Sequence, residues 1–258
     1  MSHEIESKVL GRRAFLATSC ALGVAGTAHA LGASSAAVAT SGLARVAGSG
    51  TPPGSIARTA TELLARNCIL TPAETAGPYY LPIGLERRHL SPGLAGLPLT
   101  IFMRVVRASD CTPVVDAAVD VWHTDVAGDY SGIAALGTTG TTFGRGYQRT
   151  SASGVVRFET IYPGWYPART THIHLRVFPG GGVLFTTQLY LPDHVSDNVY
   201  RLAPYVARGP KPHANSADAY FHAENVFSVR SISTASLFGA VPTPRATHLY
   251  AGLTIGLA

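Results

Sequence analysis

Two histidines separated by one residue, His172 and His174, have a spacing that could place two imidazoles on one metal ion. Successive side chains of a β-strand point to opposite faces, so both imidazoles and Arg176 would share one face of a strand. The apolar residues between and after them would share the other face. The same spacing also occurs in ordinary solvent-facing strands, in zinc sites and in cupin-type sites. The pair alone therefore names no metal.

Two tyrosines stand next to chain-breaking turns and add phenols to the candidate site. The turn Pro163-Gly164-Trp165-Tyr166-Pro167 precedes the histidine strand and places Tyr166 just before it. A second turn, Asp125–Asp129, is followed directly by Tyr130. A tyrosine after such a turn more often serves packing, but it is free to reach into a shared site. Together with the histidines these residues offer two phenols and two imidazoles.

The charge of such a donor set selects the metal. Ionising a phenol at neutral pH costs about 4 kcal/mol per tyrosine, and a bound cation must supply that energy. Two tyrosinates and one hydroxide bring three negative charges, which Fe(III) neutralises. Zn(II) or Fe(II) would leave a buried net charge that is costly to desolvate. The set therefore favours ferric iron, Fe(III).

The rest of the chain predicts short strands separated by turns. The apolar alternation places strands at 97–107, 118–124, 154–161, 171–178, 183–191 and 250–257, and a short helix at 57–67. The segment 193–244 is rich in turn residues and predicts long loops that wrap the sheets. We therefore expect an all-β fold, an antiparallel β-sandwich core with long irregular loops.

The N-terminal region has the features of an export signal. Arg12 and Arg13 precede a modest apolar run that ends at Ala30, which predicts a twin-arginine signal peptide over residues 1–30. Residues 31–57 are rich in Ala, Gly, Ser, Thr and Pro and predict a flexible linker. Residues 58–258 then form one domain. We expect export to the periplasm or the cell exterior, without lipidation at Cys20 and without stable membrane insertion, because the apolar run is too short to span a bilayer.

Net charge and cysteine content give two further expectations, one about nucleic-acid binding and one about a disulfide. The formal net charge is +5 over 258 residues, and no block of Lys or Arg gathers it, so nucleic-acid binding is not expected. After signal cleavage two cysteines remain, Cys68 and Cys111. An even count in an oxidising compartment predicts a disulfide between them.

Four ordered stretches carry a resemblance to a known family. They are T-P-A-E-T-A-G-P-Y-Y (71–80), V-D-V-W-H-T-D-V-A-G-D-Y-S-G (119–132), R-G-Y-Q-R-T-S-A-S-G (145–154) and T-I-Y-P-G-W-Y-P-A-R-T-T-H-I-H (160–174). In this order they resemble the intradiol ring-cleavage dioxygenases, specifically their exported branch, from about Cys68 onward. The resemblance implies that residues 58–258 are an intradiol dioxygenase-like β-sandwich domain. It also implies a ferric ligand set of two phenols and two imidazoles: Tyr130, Tyr166, His172 and His174.

The same resemblance implies the chemistry and the catalytic side chains. The substrates would be a small aromatic diol and O2, and the product a cis,cis-muconate-type diacid. Tyr166 would accept a substrate proton, Arg169 would stabilise charge on the ring, and Gln188 matches the family's pocket glutamine. Ala168 replaces a tryptophan of protocatechuate enzymes. Together with the aromatic residues Trp165, Tyr79 and Tyr80, it predicts an apolar, open pocket for a neutral catechol. A homodimer is left open.

Two other classes of protein share some of these features. One is a zinc or copper enzyme in which the histidine pair joins another histidine, drawn from His123, His194, His213, His222 and His248. The other is a secreted β-sandwich binding module that keeps the scaffold without turnover. Colour separates them, because charge transfer from tyrosinate to iron(III) gives a red-brown solution, whereas a zinc protein or an empty module is colourless.

Overall fold

The computed structural model describes residues 53–64, 68–180, 184–232 and 248–258. The predicted signal peptide at 1–30, with Cys20, and all but the end of the predicted linker at 31–57 lie outside these residues. Within the described ranges, no helix is both long enough and apolar enough to cross a membrane.

Two four-stranded sheets make up the domain. Sheet A has the order β4 (Val155–Ile161), β1 (Pro98–Arg107), β8 (His248–Leu257), β7 (Ser228–Ile232), and sheet B has the order β3 (Arg145–Arg149), β2 (Ala118–Trp122), β5 (His172–Phe178), β6 (Phe185–Tyr190). Neighbouring strands are antiparallel except for β1 and β8, which are parallel. The predicted all-β sandwich is confirmed.

Strict alternation explains why the two sheets form one core. Every second residue of β1 and β5 is fully buried in the same apolar cluster, as their sequence pattern predicts: Leu99, Ile101, Met103, Val105, Ile173, Leu175 and Val177. Each such side chain contributes about 1.5–3 kcal/mol when it leaves water. The register of β5 is thereby fixed, and a slip by one residue would bury its histidines in the apolar core.

The first helix, α1, covers the outer face of sheet A. It spans Pro53–Leu63, so it begins within the stretch predicted as linker and ends before the predicted end at residue 67. Its Leu63 is buried against Phe102 and Tyr250. A Cβ atom at Gly252 would lie 2.5 Å from the Cβ of Leu63, so the glycine allows this close approach.

The stretch between β6 and β8 is more ordered than the predicted loops. It contains α2 (Asp193–Val199), short 3₁₀ helices at 205–208, 215–217 and 223–225, and strand β7; residues 233–247 lie outside the described chain. Strands β3 and β7 were not predicted. Both are short edge strands with arginine and serine or glycine in place of apolar alternation. The outer edge of β3 is covered by the preceding chain, since Tyr147 exchanges backbone hydrogen bonds with Leu85 and Arg87.

A disulfide joins Cys68 to Cys111, with 5.4 Å between their Cα atoms. It ties the start of the domain to the turn after β1, and the predicted pairing is confirmed. Just beyond Cys68, the backbone N–H of Thr71 donates to the carbonyl of Gly256 in β8 at 2.9 Å. The N-terminal segment is therefore fixed to sheet A by a covalent and a hydrogen-bonded contact.

Candidate metal centre

Strand β5 presents His172 and His174 on the face of sheet B that points away from the apolar core. Both imidazoles are buried, and their Nε2 atoms lie 3.1 Å apart. The expectation that they share a strand face is confirmed. In the register of sheet B, His174 stands between Trp122 of β2 and Gln188 of β6. The indole of Trp122 stacks on the imidazole of His174, with 4.9 Å between ring centres, and this contact fixes the ring plane.

Two turns deliver the phenols to the histidine pair. The hydroxyl oxygen of Tyr166 lies 3.1 Å from His172 Nε2, and that of Tyr130 lies 3.4 Å from the same nitrogen. The turns touch each other, because the N–H of Gly164 donates to the carbonyl of Asp125 at 2.8 Å. A Cβ atom at Gly164 would overlap the carbonyl of Val126. Glycine at this turn is what lets the two phenols meet.

The structure thus brings together the four side chains that the sequence singled out as candidate ligands. Burial, with the nearby cation of Arg169 adding to it, lowers the pKa of His172 to about 3. Burial also lowers the pKa of His174 well below its ordinary value. Burial first, and the neighbouring Tyr166 second, raise the pKa of Tyr130 well above that of a free phenol. Without a cation the imidazoles are therefore neutral and the phenols protonated.

The donor set fits a trivalent, oxygen- and nitrogen-binding cation. His172 Nδ1 lies 2.7 Å from the carbonyl of Thr170, which assigns the ring proton to Nδ1 and leaves the Nε2 lone pair facing the two phenols. The Nδ1 atom of His174 is buried, and no described group serves as its hydrogen-bond partner. Neutral nitrogen donors beside phenols that ionise only against a positive charge suit Fe(III). Their roles as ligands stay predictions.

Arg169 and Gln188, predicted to be catalytic, lie side by side at this centre. An Nη of Arg169 donates to Gln188 Oε1, and Gln188 Nε2 donates to the carbonyl of Thr75 at 3.0 Å. The preceding residue, Ala168, has φ +66°, a left-handed conformation that costs a non-glycine residue energy and marks the turn as constrained. The constrained turn places Tyr166 and Arg169 on the same side of β5.

Of the three aromatic residues expected to line the pocket, one contacts the phenols and two pack elsewhere. Tyr79 stacks on Tyr130 with 4.7 Å between ring centres. Trp165 instead packs under the guanidinium of Arg208, 4.3 Å away. Tyr80 packs on Trp122 and donates to Asp120 at 3.2 Å. Of the three, Tyr79 is the one whose ring contacts the phenols in the described part of the chain.

The other histidines give little support to a zinc or copper site. His123 has both ring nitrogens engaged, at 2.8 Å from the carbonyl of Thr124 and 2.8 Å from the hydroxyl of Thr160. His248 Nε2 contacts the hydroxyl of Thr100 at 2.9 Å. In the ranges that the structure describes, no group of three or more His, Cys, Asp or Glu residues could hold a metal ion. A metal at β5 therefore needs the phenols.

Sequence reasoning missed Asp218, whose carboxylate accepts a hydrogen bond from Arg169 Nε at 2.8 Å. The two residues are 49 positions apart, and Asp218 lies in the segment predicted to be loop. It also missed Glu74, which accepts hydrogen bonds from Tyr190 at 2.7 Å and Asn225 at 2.9 Å. No periodicity or motif signals such contacts, because they depend on where a long connection crosses the sheet.

Comparison with known proteins shows which family this fold resembles. The Dioxygenase_C family model, described as a dioxygenase, matches residues 87–207. An intradiol ring-cleavage dioxygenase from Tetranychus urticae is 26% identical, with a TM-score of 0.64, over 73% of this chain and 94% of that chain. A search of curated proteins found no match.

Two further solved structures share the fold. The dioxygenase domain of a dioxygenase carbohydrate-binding protein fusion from the cellulolytic bacterium Streptomyces sp. SirexAA-E is 28% identical, with a TM-score of 0.54, over 73% of this chain and 99% of that chain. Catechol 1,2-dioxygenase from Pseudomonas arvilla C-1 is 19% identical, with a TM-score of 0.53, over 79% of this chain and 66% of that chain. The family-model match and these structural neighbours confirm the resemblance of this chain to the intradiol ring-cleaving dioxygenases.

Proposed function

We propose that this protein is a non-haem Fe(III) intradiol dioxygenase that cleaves a catechol-type ring with O2 to a cis,cis-muconate-type diacid. The observation that carries the proposal is the convergence of Tyr130, Tyr166 and His174 on the Nε2 atom of His172, at 3.4, 3.1 and 3.1 Å. Fe(III) bound by these four side chains would draw electron density from a catecholate ring and so open the ring carbon to O2.

The protein's own groups would handle protons and charge. Tyr166 is partly exposed whereas Tyr130 is buried. The phenolate oxygen of Tyr166 is therefore the one placed to take the proton of an incoming catechol. The cation of Arg169 acts against burial by favouring ionised Tyr166, although the net effect leaves the pKa of Tyr166 raised. Arg169 would then stabilise negative charge on the substrate ring, and Gln188 would hold Arg169 from the strand side.

We expect a neutral catechol as the substrate. Arg169, which is held by Asp218, is already assigned to stabilising charge that develops on the ring, so it is not available for a carboxylate at the opposite edge of the ring. Tyr79 supplies an aromatic face beside the donor phenols. This arrangement supports catechol, hydroxyquinol or a 4-alkylcatechol over protocatechuate.

The test is to load the protein with iron and record three quantities: the visible spectrum, O2 uptake with each of these four diols, and product mass. A red-brown solution that converts a neutral catechol to the diacid supports the proposal. Preference for protocatechuate would reject the substrate argument alone. Extradiol semialdehyde products would reject the mechanism, and a colourless, metal-free protein would reject the iron site.

Export by the twin-arginine route is part of the same proposal. Arg12 and Arg13 support it, and a route that carries folded proteins suits a metal site assembled before export. Changing both arginines to lysine should abolish export of the metal-loaded protein. Undiminished export of that variant would remove this part of the proposal.

A further inference from the structure

A buried carboxylate from a distant segment contacts the arginine beside the candidate metal centre. The side chain of Asp218 is 0% exposed, and its Oδ2 accepts from Arg169 Nε at 2.8 Å. A role for Asp218 rests on the proposed function, because it concerns how Arg169 is held for that reaction. Asp218 itself touches none of the four donor side chains by any described hydrogen bond.

The orientation of Asp218 is fixed by main-chain donors on both oxygens. Oδ2 also accepts from the backbone N–H of Thr170 at 2.9 Å, and Oδ1 accepts from that of Tyr220 at 3.0 Å. A carboxylate held by two backbone N–H groups cannot rotate without breaking one of them. It therefore gives Arg169 a partner with a set position as well as a set charge.

Arg169 is in turn held on three sides. Asp218 binds Nε, Gln188 binds an Nη, and the ring of Tyr220 lies 4.9 Å from the guanidinium carbon. A free arginine side chain has several rotatable bonds, and freezing them costs roughly 2 kcal/mol. The three contacts offset that cost before any substrate binds. Three of the five N–H groups of the guanidinium take part in no described hydrogen bond, so they remain for the substrate.

We propose that Asp218 is a positioning residue for ring cleavage: it fixes the guanidinium of Arg169 at the angle from which Arg169 can stabilise charge on a bound catechol. The substrate does not need to touch Asp218. The electrostatics agree with the geometry. Burial opposes ionisation of both groups, yet their hydrogen bonds leave the pKa of Asp218 lowered and that of Arg169 raised, so the ion pair persists.

A purely structural role for Asp218 is the competing explanation, and the chain contains a matched control. Asp193 also anchors this segment with a carboxylate, since its oxygens accept from Lys211 Nζ at 2.6 Å and from the backbone N–H of Asn215 at 3.0 Å. It makes no described contact with Arg169. Asp193→Asn therefore loosens the same segment and leaves the arginine's partner in place.

The experiment compares Asp218→Asn, Asp193→Asn, Arg169→Ala and the Asp218→Asn/Arg169→Ala double variant as iron-loaded full chains with catechol. We expect kcat to fall about 10- to 100-fold in Asp218→Asn, the usual effect of losing an orienting partner, with iron content, visible spectrum and KM close to those of the unaltered protein. Asp193→Asn should keep kcat within about twofold. In the double variant kcat should equal that of Arg169→Ala, because Asp218 acts through Arg169.

Three outcomes would overturn the proposal. One is an Asp218→Asn variant with an unaltered kcat. Another is a double variant in which the fold-decrease in kcat is the product of the decreases in the two single variants. The third is a decrease in kcat in Asp193→Asn equal to that in Asp218→Asn. If Asp218→Asn does not fold, Arg169→Lys serves instead, since it keeps the charge but lacks the fork that spans Asp218 and Gln188. We expect the same fall in kcat there, and full activity would show that orientation is not required.

A second readout does not depend on turnover. In the metal-free full chain, the Nε–H proton of Arg169, assigned by its disappearance in Arg169→Ala, should exchange with water at least about tenfold faster in Asp218→Asn than in Asp193→Asn. Equal exchange rates would mean that Asp218 does not hold the guanidinium. If the unaltered protein cleaved no catechol, the proposed function would fail. The exchange rates would still decide whether Asp218 fixes the guanidinium of Arg169.

Discussion

Two clusters of tyrosines come within four residues of each other in the sequence, at Tyr162 and Tyr166, and differ in what their hydroxyl groups contact. The core tyrosines, Tyr162, Tyr200 and Tyr205, have ring centres 5.9–6.4 Å apart. The site tyrosines, Tyr130 and Tyr166, have ring centres 5.7 Å apart. Burial raises the pKa of all five phenols. Neither packing nor pKa separates the clusters.

The partners of the hydroxyl groups separate them. In the core, Tyr205 donates to the carbonyl of Tyr162 at 2.8 Å and accepts from the N–H of Leu97 at 3.0 Å. Tyr162 contacts the hydroxyl of Ser196 at 2.7 Å. Both site tyrosines instead face the lone pair of one imidazole. A phenol with complete neutral partners stabilises the fold, whereas phenols that share a nitrogen lone pair are placed for a cation.

The largest expected effect is that of losing a site donor. Tyr130→Phe, Tyr166→Phe, His172→Ala and His174→Ala should each lose or disturb iron, and activity should fall by more than the roughly 100-fold typical of an orienting residue. Iron analysis and the visible spectrum measure this directly. A variant with full iron, an unchanged spectrum and an unaltered rate would remove that residue from the ligand set.

Acid should act next on the site cluster, because His172 and His174 belong to it, and His123, which lies outside the cluster, adds to the effect. Burial lowers the pKa of His172 to about 3 and that of His123 to about 4, and it also lowers that of His174. The unfolded chain takes up these protons near pH 6.5 and the folded chain does not. The free energy of unfolding of the metal-free protein should therefore fall as pH drops from about 6.5 to about 4, by up to about 1.4 kcal/mol per pH unit for each histidine.

Three carboxyls oppose this trend. Burial raises the pKa of Asp120 to about 6, and it also raises the pKa of Glu74 and of Asp125, so the folded state gains protons there before the unfolded state does. The expected slope is that of the histidines reduced by the protons that these carboxyls take up. Denaturant unfolding at a series of pH values checks it, and a stability that is constant or rises between pH 6.5 and 4 would contradict the buried, neutral histidines.

The disulfide should stabilise the whole domain, and so both clusters equally. Cys68 and Cys111 close a loop with a sequence separation of 43, and replacing both with serine should lower the free energy of unfolding by roughly 3–4 kcal/mol in the chain-entropy view. Iron content and spectrum at a temperature where the variant is folded should not change. Two free thiols in the denatured, unreduced protein would show that the bond does not form.

The smallest expected effect belongs to the core tyrosines. Tyr205→Phe leaves the N–H of Leu97 and the carbonyl of Tyr162 without this partner, at a cost of about 1–3 kcal/mol in the free energy of unfolding. Its iron content and colour should match those of the unaltered protein, which makes it the control for Tyr130→Phe. Loss of colour in Tyr205→Phe would mean that hydroxyl partners do not distinguish the clusters.

The sequence predicted the parts of the fold that depend on local pattern. The alternation in β1 and β5 gave the inward faces, and the two turns before Tyr130 and Tyr166 indicated where phenols could meet. Strands β3 and β7 were missed because their sequences, R-G-Y-Q-R and S-V-R-S-I, carry no apolar alternation, whereas the edge strands β4 and β6 do. Asp218 was missed because its partner lies 49 positions away, across a connection whose path no local rule determines.

The central position of β8 has a consequence for the timing of folding. This strand is the last one described, yet it lies between β1 and β7 and pairs in parallel with β1 from Leu99 to Arg107. A nascent chain that has emerged only as far as β7 would leave β1 with an open edge and half of sheet A missing. Contacts between such distant segments form slowly and late. The sandwich, and with it the support under β5, is therefore completed only after β8 has left the ribosome.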